Sequence, residues 1–210
     1  MASVGSVYID IVGAVFYYIG ILNDEERKMN EIERMKRGIE QYLKIMDWIG
    51  KRNVAEDEEF QHVFNAFYQV RRNQSWRKVY YALMEELKGR KPSIEEVIRF
   101  LAEKTEKGSV ELSFASKLLH TIDPTKPIYD KKVATFLNLE VPPIYWANEA
   151  KIQRQIANYA IITEWYKKPQ SKALGVLFDR LFPEYCDRIC DVKKIDFIIW
   201  RGLSDVNSDN

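Results

Sequence analysis

Between Asp24 and Gly202 apolar residues recur every three or four positions, in runs broken by Gly, Pro, Asn and short polar stretches. That spacing is the signature of amphipathic helices. No convincing run of alternating apolar and polar residues interrupts it, apart from a weak case at the N-terminus. A helix is expected from about Asp24 to Trp48, carrying Ile32, Met35, Ile39, Leu43 and Met46 inward. A second, from about Asp57, carries Phe60, Val63, Phe64, Phe67 and Val70. A third opens at Ser75 as N-cap and carries Val79, Leu83 and Leu87 to a stop at Gly89. Ser93 and Glu96 form a capping box for a fourth, each satisfying the other's orphan N–H. After Pro142-Pro143 come a helix over about Trp146–Tyr166 and two more, about Ser171–Leu181 and Val192–Gly202. The fold class is all-α, one compact unit over residues 1–210, with 204–210 a disordered tail.

Residues 109–139, SVELSFASKLLHTIDPTKPIYDKKVATFLNL, are the most informative stretch. The first half reads as a helix presenting Leu112, Ala115, Leu118 and Leu119, with Lys117 and His120 off that stripe. Asp123-Pro124 and Lys126-Pro127 break the chain. A second helix opens on Asp130 and turns Val133, Phe136 and Leu137 inward. An Asp at a helix start is ordinarily a cap, accepting a bond from a free backbone N–H. Here it is followed directly by Lys131 and Lys132.

Ala115, Leu118-Leu119, Pro127, Asp130, Val133 and Leu137-Asn138-Leu139 together make this stretch similar to the helix-hairpin-helix superfamily of base-excision DNA glycosylases. The resemblance covers about thirty residues and is loose elsewhere. It implies two helical lobes, 24–125 and 126–203 plus 1–23, with a catalytic carboxylate at Asp130 in the cleft between them. It also implies DNA as partner, with Lys117, Lys131 and Lys132 near its phosphates. In that chemistry the base leaves the stack for a pocket, and a carboxylate stabilises the developing oxocarbenium charge. The chain departs from the family pattern at the hairpin. Ser109, Val110 and Glu111 stand where glycine-rich backbone usually faces a phosphate, and only Gly108 is a glycine. Ser113 stands where strand-cleaving members carry a lysine, so the implied activity is monofunctional: base removal leaving an abasic site. Lys117 lies about 200° around the helix from Ala115 at roughly 100° per residue, so it is no simple substitute.

Charge alone does not mark a nucleic-acid binder, since the net charge is +1, and any polyanion site must come from local clusters. One such cluster is Arg71, Arg72, Arg77 and Lys78 around Trp76. It reads either as a phosphate-tracking loop with Trp76 stacked on a base, or as a solvated loop with Trp76 in the core. Tyr80, Tyr81, Tyr145, Trp146 and Trp165 line a cleft or fill the core. His62 is expected to be structural. His120, at a helix C-terminus, is expected to be held as a cation bonded to a carbonyl. Cys186 and Cys190, four apart, are expected to be reduced and to lie in or near a core, in keeping with a reducing cytoplasm. Two cysteines and two histidines give no metal site or cluster, and no cofactor fingerprint is present. Residues 7–22 form an apolar run of sixteen containing Asp10, short and costly as a membrane span. They are read as a buried helix or an arm that closes the core. Two other functions stay open: a non-catalytic nucleic-acid-binding protein on the same scaffold, and a helical protein-interaction module.

Overall fold

The structure, a computed structural model, describes residues 25–105 and 109–202. The apolar run at 7–22, the Asp24 helix start, Gly108 and the 204–210 tail lie outside the described residues. Among those described the chain is all-helical, with no strand. In order come α1 (Glu25–Ile49), α2 (Glu58–Tyr68), α3 (Gln74–Glu86), α4 (Ile94–Lys104), α5 (Leu112–Ile122), α6 (Lys131–Phe136), α7 (Asn148–Trp165), α8 (Pro169–Leu181), a 3₁₀ turn (Pro183–Tyr185) and α9 (Asp191–Gly202).

Local sequence sets most boundaries. Asp57 caps α2 by accepting from Phe60 N–H at 2.8 Å. The α4 capping box forms, with Ser93 N–H donating to Glu96 Oε2 at 2.6 Å and Glu96 N–H to Ser93 Oγ at 3.2 Å. The cap of α3 is Asn73 rather than Ser75. Asn73 Oδ1 accepts both the Trp76 N–H and the Ser75 hydroxyl, at 2.9 and 3.1 Å, so the earlier of two good caps takes the helix start. α6 has only six residues, too few to persist alone. Asp130 caps its start, left-handed Asn138 (φ 50°) ends it, and Val133, Ala134 and Phe136 are buried beneath it.

Two apolar clusters make the core. One gathers Ile45, Phe60, Phe64, Tyr80, Tyr81, Leu118 and Ile128. The other gathers Met35, Ile39, Tyr42, Val133, Phe136, Phe178, Phe182 and Phe197. α1 serves both, its middle turns (Met35, Ile39, Tyr42) in the second cluster and its last turns (Ile45, Ile49) in the first. Phe67, Met46 and Tyr129 pack against both clusters.

Candidate functional site

A cavity of about 400 Å³ opens where the two clusters meet, lined by Tyr68 and Ile128 of one and Phe197 of the other. It also receives Phe67, Gln69, Ser113, Lys117, Asp130, Lys131, Lys132, Lys193, Asp196 and Trp200. Four elements position these groups. α2 ends at Gln69 in the left-handed region (φ 53°), uncommon for a residue with a Cβ. The Tyr68 carbonyl beside it, an orphan acceptor of the helix end, takes a bond from Lys117 Nζ at 3.3 Å. The same amine donates to Ser113 Oγ, one turn back on α5, at 3.1 Å. Asp130 caps α6 through Oδ1, which accepts Val133 N–H at 2.8 Å.

α9 supplies a second acid and base. Lys193 Nζ lies 2.6 Å from Asp196 Oδ2, with only 3% and 7% of the two side chains exposed. Four rings enclose that ammonium: Tyr42, Phe67, Tyr68 and Phe197, with centroids 4.9 to 5.5 Å away, a cation–π cage. Lys132 Nζ donates to the Trp200 carbonyl at 2.5 Å and lies 5.1 Å from its indole centroid. It ties the start of α6 to the end of α9.

The cavity therefore gathers two aspartates and four lysines in a partly aromatic shell. Burial and the nearby Asp196 charge push the Asp130 carboxyl above its ordinary range, while its bond from Val133 pulls the other way. Burial pushes the Lys117 amine below its ordinary range, against the pull of Asp130 and Asp196. An acid raised and an amine lowered in one cleft is an arrangement suited to proton transfer or to stabilising a transient cation.

His120 lies behind this wall, fully buried, and is not off the buried stripe. Its Nδ1 is 2.7 Å from the Lys126 carbonyl, which can only accept, so Nδ1 carries the proton. Nε2 then accepts the Tyr42 hydroxyl at 3.1 Å. Burial and the Lys193 charge lower its pKa to about 4. The expected bond to a carbonyl forms, but the imidazole is neutral at pH 7, because desolvation outweighs the helix dipole. The unfolded chain takes up this proton first, so stability is greatest above about pH 6.5 and falls as the pH drops toward 4. The loss should approach about 3 kcal/mol. Urea unfolding at about pH 7 and about pH 4 should show it, and His120→Gln should flatten the dependence. An unchanged dependence in that variant would remove His120 as its source.

Of the residues expected at the site, Asp130, Lys117, Lys131 and Lys132 meet in this cavity. Arg71, Arg72, Arg77 and Lys78 do not line it. Arg71 and Arg72 line a separate recess of about 240 Å³ with Glu111. Arg72 forms an ion pair with Glu111; Arg71 and Lys78 are exposed and Arg77 is half-buried. Trp76 is buried, its ring 4.9 Å from Tyr80 and 4.8 Å from Phe114. It belongs to the core, and it also lines the recess that Arg71 and Arg72 share. Tyr80, Tyr81 and Trp165 are core, whereas Tyr145 is exposed. At the hairpin position Gln155 closes the start of α5, accepting Leu112 N–H at 2.9 Å and donating to the Val110 carbonyl at 3.1 Å. The chain's own amide thus holds a donor that a phosphate would need. His62 is exposed on α2, without a core role. Cys186 and Cys190 are free and half-buried, beside the 3₁₀ turn and before α9.

Sequence reasoning missed Lys193 and Asp196. Their signal is the spacing Lys193, Asp196, Trp200, three then four apart, which puts two charges and an indole on one stripe of a mostly apolar helix. It also missed Arg34 and Arg37, in a recess that shares Phe67, Gln69 and Trp200 with the cavity. Among the described residues no group of three His, Cys, Asp or Glu side chains could hold a metal. No described helix is long and apolar enough to cross a membrane. No protein family, curated protein or solved structure matches the chain.

Proposed function

We propose that this protein is a divergent DNA glycosylase of the helix-hairpin-helix type, a two-lobed helical enzyme that hydrolyses the bond between a base and its deoxyribose. The observation that carries the reading is the Asp130 carboxylate, half-buried beside Lys117 and Asp196 in an aromatic-walled cavity between two apolar clusters. A cavity of this size lies in the ordinary range for small-ligand sites. A base turned out of the duplex would enter between Phe67, Phe197 and Trp200. As the C1′–N bond breaks, its electron pair leaves with the base, and ionised Asp130 stabilises the positive charge at C1′. Water then adds to C1′ and gives up a proton to Asp130 or to solvent.

A single-turnover assay on duplexes carrying a panel of damaged or mismatched bases tests this directly. Base release is the expected result; no release from any duplex removes the catalytic reading. One observation favours a second reading, strand cleavage after base loss. Lys117 Nζ reaches Ser113 Oγ, so an amine lies beside the serine that replaces the family's lysine. Borohydride trapping on a duplex with a preformed abasic site separates the two. Salt-dependent binding without release would instead leave a non-catalytic nucleic-acid binder.

The cations at the cavity mouth should set that salt dependence. Lys131 is exposed on the rim, and Arg37 is exposed in the adjoining recess. Lys131→Glu and Arg37→Glu should each weaken duplex binding and reduce the slope of log K against log salt by about 0.9 per lost phosphate contact. Titrations at several salt concentrations measure this. Unaltered slopes would move the nucleic-acid path elsewhere, toward exposed Arg71 and Lys78.

A further inference from the structure

Among the described residues six large apolar side chains stand exposed, and three of them, Val141, Ile144 and Tyr145, lie within five positions of the link between α6 and α7. Ile144 is 91% exposed and Tyr145 82%. Between Val141 and Ile144 lie Pro142 and Pro143, half-buried. None of the five lines the cavity. Apolar residues exposed singly need no account, but a contiguous run marks an interaction site. The backbone there is fixed. Proline sets its own φ near about −65° and pushes the residue before it to extended backbone. Val141 and Pro142 each precede a proline, and residues 139–143 are neither helix nor turn. Trp146 N–H then donates to the Pro143 carbonyl at 3.2 Å, turning the chain at Ile144 and Tyr145. Both stems are held. Asn158 Nδ2 donates to the Glu140 carbonyl at 2.8 Å, Arg154 pairs with the Glu140 carboxylate at 3.2 Å, and Lys151 N–H donates to the Ala147 carbonyl at 3.1 Å. The result is an extended Pro-Pro step followed by a turn that bears an exposed tyrosine, pinned at both ends.

We propose that Pro142-Pro143-Ile144-Tyr145 is a docking segment for a partner protein with an aromatic-lined groove of the WW type, the prolines lying across its rings and Tyr145 entering a second pocket. Such grooves take polyproline II backbone, which has no internal hydrogen bonds to break and little freedom to lose. Pro-Pro, one spacer and Tyr is the spacing that one class of WW domain reads, and here Ile144 is the spacer. A tyrosine brings a large ring with a polar tip, suited to a pocket at a wet interface. Because both stems are already held, docking orders little of the chain. A lipid surface suits the loop less, since segments that lie in a membrane interface carry Lys or Arg on their polar side, and none occurs between Glu140 and Lys151. The inference stands apart from the glycosylase reading, because the loop lies outside the cavity and its partner is a protein.

The test is calorimetric binding of the full chain to a purified WW domain of the class that takes Pro-Pro-x-Tyr peptides, beside a peptide of residues 139–148. The chain should bind at least as tightly as the peptide, and the peptide should compete with it. Tyr145→Ala should weaken binding at least about tenfold, the loss expected of a buried aromatic anchor, and Pro143→Ala severalfold. Ile144→Ala should leave binding unchanged. That control separates a motif that is read from an apolar surface that merely adheres, where the most exposed side chain would matter most. Ile144 and Tyr145 are exposed, so their variants keep the fold, and unchanged thermal unfolding checks this. No binding by the full chain, binding by the peptide alone, or an Ile144→Ala loss as large as that of Tyr145→Ala overturns the assignment. Binding to phosphatidylcholine–phosphatidylserine vesicles that Ile144→Ala abolishes, with none to the WW domain, overturns it in favour of a membrane contact.

Discussion

Asp130→Asn is expected to lower single-turnover base release by about a thousandfold while leaving the protein at least as stable as the parent. The two halves of that expectation come from different features of one side chain. As a cap, Asp130 needs only an oxygen for the Val133 N–H, and Asn caps as well as Asp. As a charge, Asp130 is held against desolvation and against Asp196. A carboxyl whose folded pKa is raised binds protons more readily in the native state. Stability therefore falls as the pH rises from the ordinary carboxylate value through the raised one, and the amide removes this penalty. Thermal unfolding at neutral pH should thus be unchanged or slightly higher in the variant. The parent's activity should fall on acidification at a pH above the ordinary carboxylate range, because the charge at C1′ needs ionised Asp130. An Asp130→Asn protein that folds and still releases base at the parental rate would make Asp130 a helix cap and nothing more.

The sequence could be read where the deciding contacts are local. The α4 capping box, the Asp57 and Asp130 caps and the helices from α5 to α9 all follow from residues within one turn of each other. Asn73 shows the limit even there, since two acceptable caps lie two residues apart and only geometry chooses between them. Distance in sequence hid the rest. Lys193 and Asp196 drew no reading from the sequence, because Tyr42, Phe67 and Tyr68, which enclose the amine, come from helices about 125 to 150 residues earlier in the chain. His120 looked like a helix-end cation because the Tyr42 hydroxyl on one side and the Lys126 carbonyl across the Pro turn become its partners only in the fold. Glu111 stands where the family's hairpin faces a phosphate, and its ion-pair partner Arg72 comes from before α3. The Asp130 cap was legible from its place before the helix, but the charges around it were not.

Lys193→Met should lower stability by about 3 to 5 kcal/mol, far more than loss of a surface ion pair. The ammonium and the Asp196 carboxylate are almost wholly excluded from water, so removing one leaves the other charge buried without compensation. Met suits the vacated space, since a thioether packs well among the rings of Tyr42, Phe67, Tyr68 and Phe197, and the loss can then be assigned to the orphaned carboxylate. Changing both partners, as Lys193→Met with Asp196→Leu, removes both desolvation penalties and should recover most of the stability. Urea unfolding of the parent, the two single variants and the double closes the cycle, and the coupling should reach at least about 2 kcal/mol. A Lys193→Met loss under about 1 kcal/mol would mean that water reaches the pair. If the cycle closes as expected, the double variant becomes the sharper instrument: a stable cavity of nearly unchanged shape without its second carboxylate. Residual base release by that protein would show that Asp130 can act without the charge of Asp196.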